Sequence, residues 1–308
     1  MAMYQSKDIV EAYADQKWLE REAVLEKEEE KKSAFADFAK KLFRHRGAVI
    51  GAVIIFVFIF TALFAPWLTS YRYDSPDISA VLKAPSWEHI FGTDEFGRDI
   101  FTRIVYGARI SLRVAFVAVA FSLVIGTVLG ALAGYYGGVV DYIITSITDI
   151  AWSFPTTLLA IAFIGALGSG LQNVIIAIAL ASWSGYCRVV RGQFLSLKQR
   201  EFIEAARVLG MSDARIIFKH ILPNSLGPVL VMATLELPKA IVVEASLSFL
   251  GLGAQPPEPS WGVILDSGKG LLDQAPWVSF FPGLMIMLVV LGFNLFGDAL
   301  RDVLDPHS

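Results

Sequence analysis

Residues Arg200–Asn224 read REFIEAARVLGMSDARIIFKHILPN, and this polar interruption between hydrophobic blocks decides how the chain is organised. The stretch predicts two short helices meeting at Gly210. In the first, Glu201–Leu209, the residues Phe202, Ala205, Ala206 and Leu209 fall on one face at helical spacing, with Glu201, Glu204 and Arg207 on the other sides. Gly210 suits the left-handed position just past a helix end. Ser212 or Asp213 can cap the second helix, whose Ile216, Ile217 and Phe218 are apolar, and Pro223 marks its expected end. The result is a small water-exposed elbow with an apolar side, a kind of surface usually built for a partner.

Around the elbow the sequence is apolar enough for lipid. Of 308 residues, 55% are hydrophobic and 18% charged, and the mean hydropathy is +0.56, which fits an all-α polytopic membrane protein. Six stretches approach the ~20 apolar residues a spanning helix needs. They are Gly47–Leu68, Val114–Tyr135, Val139–Leu167 (bent at Pro155), Leu171–Val190, Leu226–Leu250 and Val278–Leu295. Glycine-rich joints at Gly134–Gly138 and Gly165–Gly170 are short, so neighbouring helices should run antiparallel. This leaves an arm, residues 1–46, and a six-helix membrane domain, 47–308, with a polar loop at about 191–224 and opposite loops at about 69–113 and 251–276.

Charge orients the spans. Lys40, Lys41, Arg44 and Arg46 precede the first span, and Arg188, Arg191, Lys198, Arg200, Arg207, Arg215 and Lys219 crowd the polar loop. By the positive-inside rule both lie in the cytoplasm, and six spans put both termini there. The segment Thr69–Arg113, outward on this scheme, carries Arg98, Arg103, Arg109 and Arg113, with Asp94, Glu95 and Asp99 available to pair with some of them. In the arm, Met1–Lys32 mixes acids and bases and has no signal-peptide core. From Ser33 to Arg46, Phe35, Phe38, Ala39, Leu42 and Phe43 share a face, either for the membrane interface or for another subunit.

Charges within spans are functional candidates, because an unpaired charge in hydrocarbon costs several kcal/mol. Glu236 and Lys239 lie three apart and can pair across Pro238, Glu244 has no local partner, and Asp149 stands in the third span. These four either line a water-filled path or pair with neighbouring helices for packing.

Catalytic signatures are not found. Gly268-Lys269 is followed by Gly270, and Val263 stands where a phosphate loop needs glycine. The histidines His45, His89, His220 and His307 show no metal spacing. The single cysteine, Cys187, excludes an internal disulfide and reads as a packing residue. A net charge of -3 argues against a nucleic-acid partner.

Glu204-Ala205-Ala206, three residues, Gly210 and then Leu222-Pro223 resemble the signature of inner-membrane permease subunits of bacterial ABC importers. That pattern has isoleucine where His220 stands; here Ile221 follows one position later. Phe91-Gly92-Thr93-Asp94-Glu95-Phe96-Gly97-Arg98-Asp99, continuing to Leu112, is similar to the segment before the second span in permeases for dipeptides, oligopeptides and nickel. Ser248–Pro257 and Gly297–Pro306 are similar to further marks of that branch, in the second of its two unlike permeases. From about Lys41 onward the chain is covered by this resemblance.

The resemblance implies the type I importer permease fold in a bacterial or archaeal cytoplasmic membrane. It also implies a heterodimer with a second permease, two ATP-binding subunits that hold ATP and Mg, and an extracytoplasmic solute-binding protein. This chain would hold no cofactor and would not be an enzyme. Glu204, Ala205, Ala206, Gly210 and Ser212 would couple it to an ATPase: Glu204 by polar contacts, the alanines by close approach, Gly210 by the bend. Peptides are the expected cargo, with nickel, its chelates or short oligosaccharides as alternatives. A secondary transporter driven by an ion gradient through Asp149 and Glu244 is the alternative of another class.

Overall fold

The computed structural model describes residues 38–304. Backbone polar groups in hydrocarbon must be satisfied within the segment, so long apolar runs fold as helices. They are α1 (Arg46–Leu63), α2 (Ile100–Tyr136), α3 (Gly138–Trp152), α4 (Thr156–Leu167), α5 (Leu171–Leu197), α6 (Glu201–Val208), α7 (Asp213–Phe249), α8 (Trp261–Gly268) and α9 (Trp277–Leu304). Among the described residues, α1, α2, α5, α7 and α9 are each long and apolar enough to cross a membrane, and α3 with α4 makes a sixth span if taken as one. That pair turns through 96°. The break falls at Ser153–Pro155, as expected from a proline that cannot donate back into α3. Of the amphipathic arm helix, residues 38–44 are helical; Phe35 and Met1–Lys32 lie outside the described residues.

The tightest packing joins α2 to α5. Gly126, Gly130 and Gly134 form one stripe on α2 against Tyr186, Cys187, Val190 and Phe194. A Cβ on Gly130 would stand 2.5 Å from the Cys187 carbonyl oxygen, and one on Gly134 2.6 Å from Phe194 Cβ. Lipid tails are as apolar as leucine, so helix association here depends on close backbone approach, which small residues allow. Cys187 is buried in this seam and packs there.

Three expectations are corrected. First, α2 begins at Ile100 rather than Val114, because Asp99 caps it: its Oδ2 accepts from the Thr102 N–H and hydroxyl, both at 2.8 Å. Second, the 251–276 segment is not only loop. It contains α8, capped by Ser260, with Trp261 fully buried and its Nε1–H donating to the Ile104 carbonyl at 3.1 Å. Third, Pro223 does not end the elbow's second helix. A π-turn over Ile217–Ile221 lets the Leu222 N–H reach the Ile217 carbonyl, and the helix runs on to Phe249. The wider turn admits a proline that would break a regular ladder.

The segment before α2 folds as a cap around a buried carboxylate. Asp94 Oδ1 accepts from the backbone N–H groups of Phe96 and Arg98, each at 2.9 Å, and Oδ2 accepts from Arg98 Nε at 2.7 Å. Arg103, also buried, approaches the same oxygen at 3.5 Å. Glu95 stands 3.7 Å from Arg98. Asp99 pairs with His89 at 3.0 Å instead of with an arginine. Gly97 turns the chain at φ +72°. A Cβ there would collide with the Asp77 carbonyl, so only glycine fits.

Candidate functional site

The elbow is built from two apolar stripes on α6, where the sequence reading saw one. Ile203 and Ala206, three apart, are buried against Tyr135, Val190, Phe194, Ile216, Ile217, Ile221 and Val229. Phe202, Ala205, Val208 and Leu209 point outward; Val208 is 87% and Leu209 75% exposed. Ala206 therefore packs inside the chain, correcting its assignment to an outer contact. The helix turns about 100° per residue, so Ala206 and its neighbour Ala205 cannot serve the same surface. Ile203 was missed although its spacing to Ala206 is itself helical.

Gly210 ends α6 in the left-handed region at φ +73°. The Met211 N–H bonds to the Ala206 carbonyl at 3.1 Å and the Gly210 N–H to the Arg207 carbonyl at 2.9 Å, a Schellman termination. Nothing lies within 4 Å of a Cβ built there, so the backbone angle alone demands glycine. Ser212 occupies the cap position of α7 without a side-chain cap bond, whereas Asp213 accepts from the Tyr135 hydroxyl at 2.6 Å. The Lys198 ammonium donates to the Tyr135 carbonyl, and the Arg207 guanidinium lies 6.0 Å from the Tyr135 ring centroid. Glu204 is exposed beside the outer apolar face. The elbow is thus clamped to the ends of α2, α5 and α7 by a small core of its own, while an apolar face is left uncovered.

The charged residues of the spans separate into two kinds. Glu236 and Lys239 pair at 2.7 Å, and both line three adjoining cavities of about 580, 520 and 260 Å³. Asp149 pairs with Arg188 at 2.7 Å on a separate opening of about 270 Å³. Glu244 is different. It is completely buried, is absent from the walls of those cavities, and accepts from Ser111 on α2 and Ser248 one turn on, both at 2.8 Å. In this structure it bonds helix to helix, the packing alternative, since a carboxylate tied by two hydroxyls needs no water. Ser248 sits one helical turn beyond it and was visible in the sequence; Ser111, on another helix, was not.

Comparison with known proteins gives one result at every level. Residues 126–308 match the family described as binding-protein-dependent transport system inner membrane component, and residues 33–85 match the N-terminal TM domain of oligopeptide transport permease C. The chain is 53% identical over 274 residues to the dipeptide transport system permease protein DppC of Alkalihalophilus pseudofirmus, covering 89% of this chain and 90% of that one. Over 259 residues it is 43% identical to the oligopeptide transport system permease protein OppC of Bacillus subtilis, covering 84% and 85%. It is also 44% identical to the glutathione transport system permease protein GsiD of Pectobacterium atrosepticum, covering 89% and 92%. In fold it is similar to a chain of the inward-facing MetNI methionine ABC transporter, with a TM-score of 0.53 at 22% identity over 66% of this chain and 97% of that one. A bundle of spans with a clamped elbow, matched over most of its length by such relatives, belongs to the family of binding-protein-dependent transport system inner membrane components.

Proposed function

We propose that this chain is one of two unlike permease subunits of an ATP-driven importer, and that the pair encloses a path for di- or oligopeptides. The uncovered apolar face of α6 carries the reading: Phe202, Ala205, Val208 and Leu209 on a helix too short to stand alone, fixed from behind by Ile203 and Ala206. Such a face is a handle for an ATPase subunit, with Glu204 supplying a polar contact at its rim. ATP and Mg belong to those partners, and this chain does no hydrolysis. The elbow and both termini lie in the cytoplasm, in keeping with the basic residues around the elbow. The cap on the opposite side, with Trp87 fully exposed on it, faces a solute-binding protein.

The mechanism follows from the clamp. When the ATPases close, the gripped α6 shifts, and its core passes the shift to α2, α5 and α7 as one body. The π-turn in α7 and the break between α3 and α4 are the places where the bundle can change angle between inward- and outward-open states. The relatives' names support peptide as cargo, as does a cleft lined by charges of both signs. The test is ATP-driven uptake in vesicles holding the purified complex. Gly210→Asp should leave the protein in the membrane, let ATP hydrolysis proceed and abolish uptake. Normal uptake by that variant, or a complex that purifies without ATPase subunits, overturns the reading.

A further inference from the structure

Two ion pairs in the spans are left half open by the fold. Arg188 and Asp149 meet at 2.7 Å with side chains 46% and 59% exposed, and Lys239 is 67% exposed beside Glu236. Hydrocarbon is not a tolerable neighbour for such groups, because an ionised side chain deep in the bilayer costs several kcal/mol. The pairs are linked by Trp152. Its ring lies under the Arg188 guanidinium, 3.8 Å from centroid to carbon, and it lines the same cavity as Glu236 and Lys239. Trp152 is also the last residue of α3, at the break before α4. The pair nearer the elbow, Asp141–Arg191, behaves differently. It is more closed, at 20% and 32%, is doubly bonded, and is braced by Thr145, as a fixed strut would be.

We propose that Glu236–Lys239 and Asp149–Arg188, joined by Trp152, form an exchange station for a zwitterionic cargo. The ammonium end of the cargo takes the place of a cation at Glu236 or Asp149, and its carboxylate end takes the place of an anion at Lys239 or Arg188. The inference rests on the peptide reading above, since a free peptide carries both ends. A path lined by unpaired charges of one sign would trap one end of such a molecule and repel the other. A path lined by closed pairs is neutral when empty and offers both counter-ions when a pair opens. Trading protein–protein pairs for protein–cargo pairs conserves the number of charge contacts, so the cargo is admitted without being held. The Trp152 face steadies whichever cation stands over it during the trade. The largest adjoining cavities, about 580 and 520 Å³, are in the range of small-ligand sites, roughly 300–1,000 Å³.

The test uses the complete importer in proteoliposomes, with tritiated dialanine as probe. The double neutral variant Glu236→Gln/Lys239→Gln should assemble and hydrolyse ATP but import dialanine at least about tenfold more slowly. The charge-keeping variant Glu236→Asp/Lys239→Arg should stay within about threefold of the parent. Asp149→Asn/Arg188→Gln, on separate helices, is an independent arm with the same expectation as the first neutral pair. If the pairs serve packing alone, removing both charges at once leaves no orphan, and the neutral variants should import normally. Normal import by both neutral variants, or a charge-keeping variant as slow as the neutral one, overturns the proposal. A parent complex that imports another solute but no dialanine overturns the peptide reading and this inference together. A parent that imports dialanine alongside unaffected neutral variants sinks the inference alone.

Discussion

The cap over residues 69–99 and the elbow at Arg200–Gly210 are both small structures standing outside the long helices, and they are held by opposite means. The cap is polar within. Asp94, Arg103, His89 and Asp99 are all buried, Arg103 facing Asp94 at 3.5 Å and His89 bonded to Asp99 at 3.0 Å, with Thr93 bridging by accepting from the Lys83 N–H at 2.8 Å and donating to the Ala80 carbonyl. The elbow is apolar within and is tied by a few bonds at its edge. A buried charge network is intolerant, because removing one member strands another. An apolar clamp yields by degrees, and it permits the outer face of the same helix to be apolar as well. The cap is therefore suited to keep one shape and the elbow to be pulled.

The comparison is most readily broken at Asp94. Asp94→Ala leaves Arg103 buried without its carboxylate and should cost about 3–5 kcal/mol, seen as a lowered unfolding temperature in detergent and poor recovery from membranes. Ile203→Ala removes the knob behind α6 and should cost about 2–4 kcal/mol. That loss should be local, with faster amide exchange over Glu201–Val208 before the rest of the bundle responds. Gly210→Ala should cost about 1 kcal/mol through its left-handed backbone angle, with no clash, and should show as fraying of the same segment. Phe202→Ala with Leu209→Ala should change stability by less than about 0.5 kcal/mol, yet reduce the ATPase retained on purification. A large stability loss there would mean that this face is packed rather than offered.

The smallest effect concerns Glu95, on the cap. Burial pushes its carboxyl above the ordinary glutamate range. Its protonated form is favoured in the folded cap, so its contribution to stability is present below the unfolded-state pKa and is lost as pH rises through the folded one. Glu95→Gln should flatten the pH dependence of cap stability over that acid window without weakening the cap at neutral pH. A steeper dependence in the variant would assign the titration to another group.

Spans, elbow and bend at Pro155 were legible because each rests on local chemistry: apolar length, a glycine at a left-handed position, a proline without an N–H. Pro223 misled for the same local reason, since only the continuing helix shows that a π-turn can admit it. The arginines of the cap looked out of place until Asp94 brought two of them together. Arg188 counted in the sequence only as a basic residue near the elbow and Trp152 not at all, because a side chain on one helix acquires its meaning from the helix opposite.

The sequence by itself determined that this is a helical membrane protein with a polar elbow ending at Gly210, since hydropathy and backbone preference act within a few residues. Only the tertiary structure decided which face of α6 is buried, that Glu244 is tied to Ser111, and that Glu236, Lys239 and Trp152 share a cavity. Those facts depend on how helices distant in sequence are turned toward one another, and that is set by packing across the bundle.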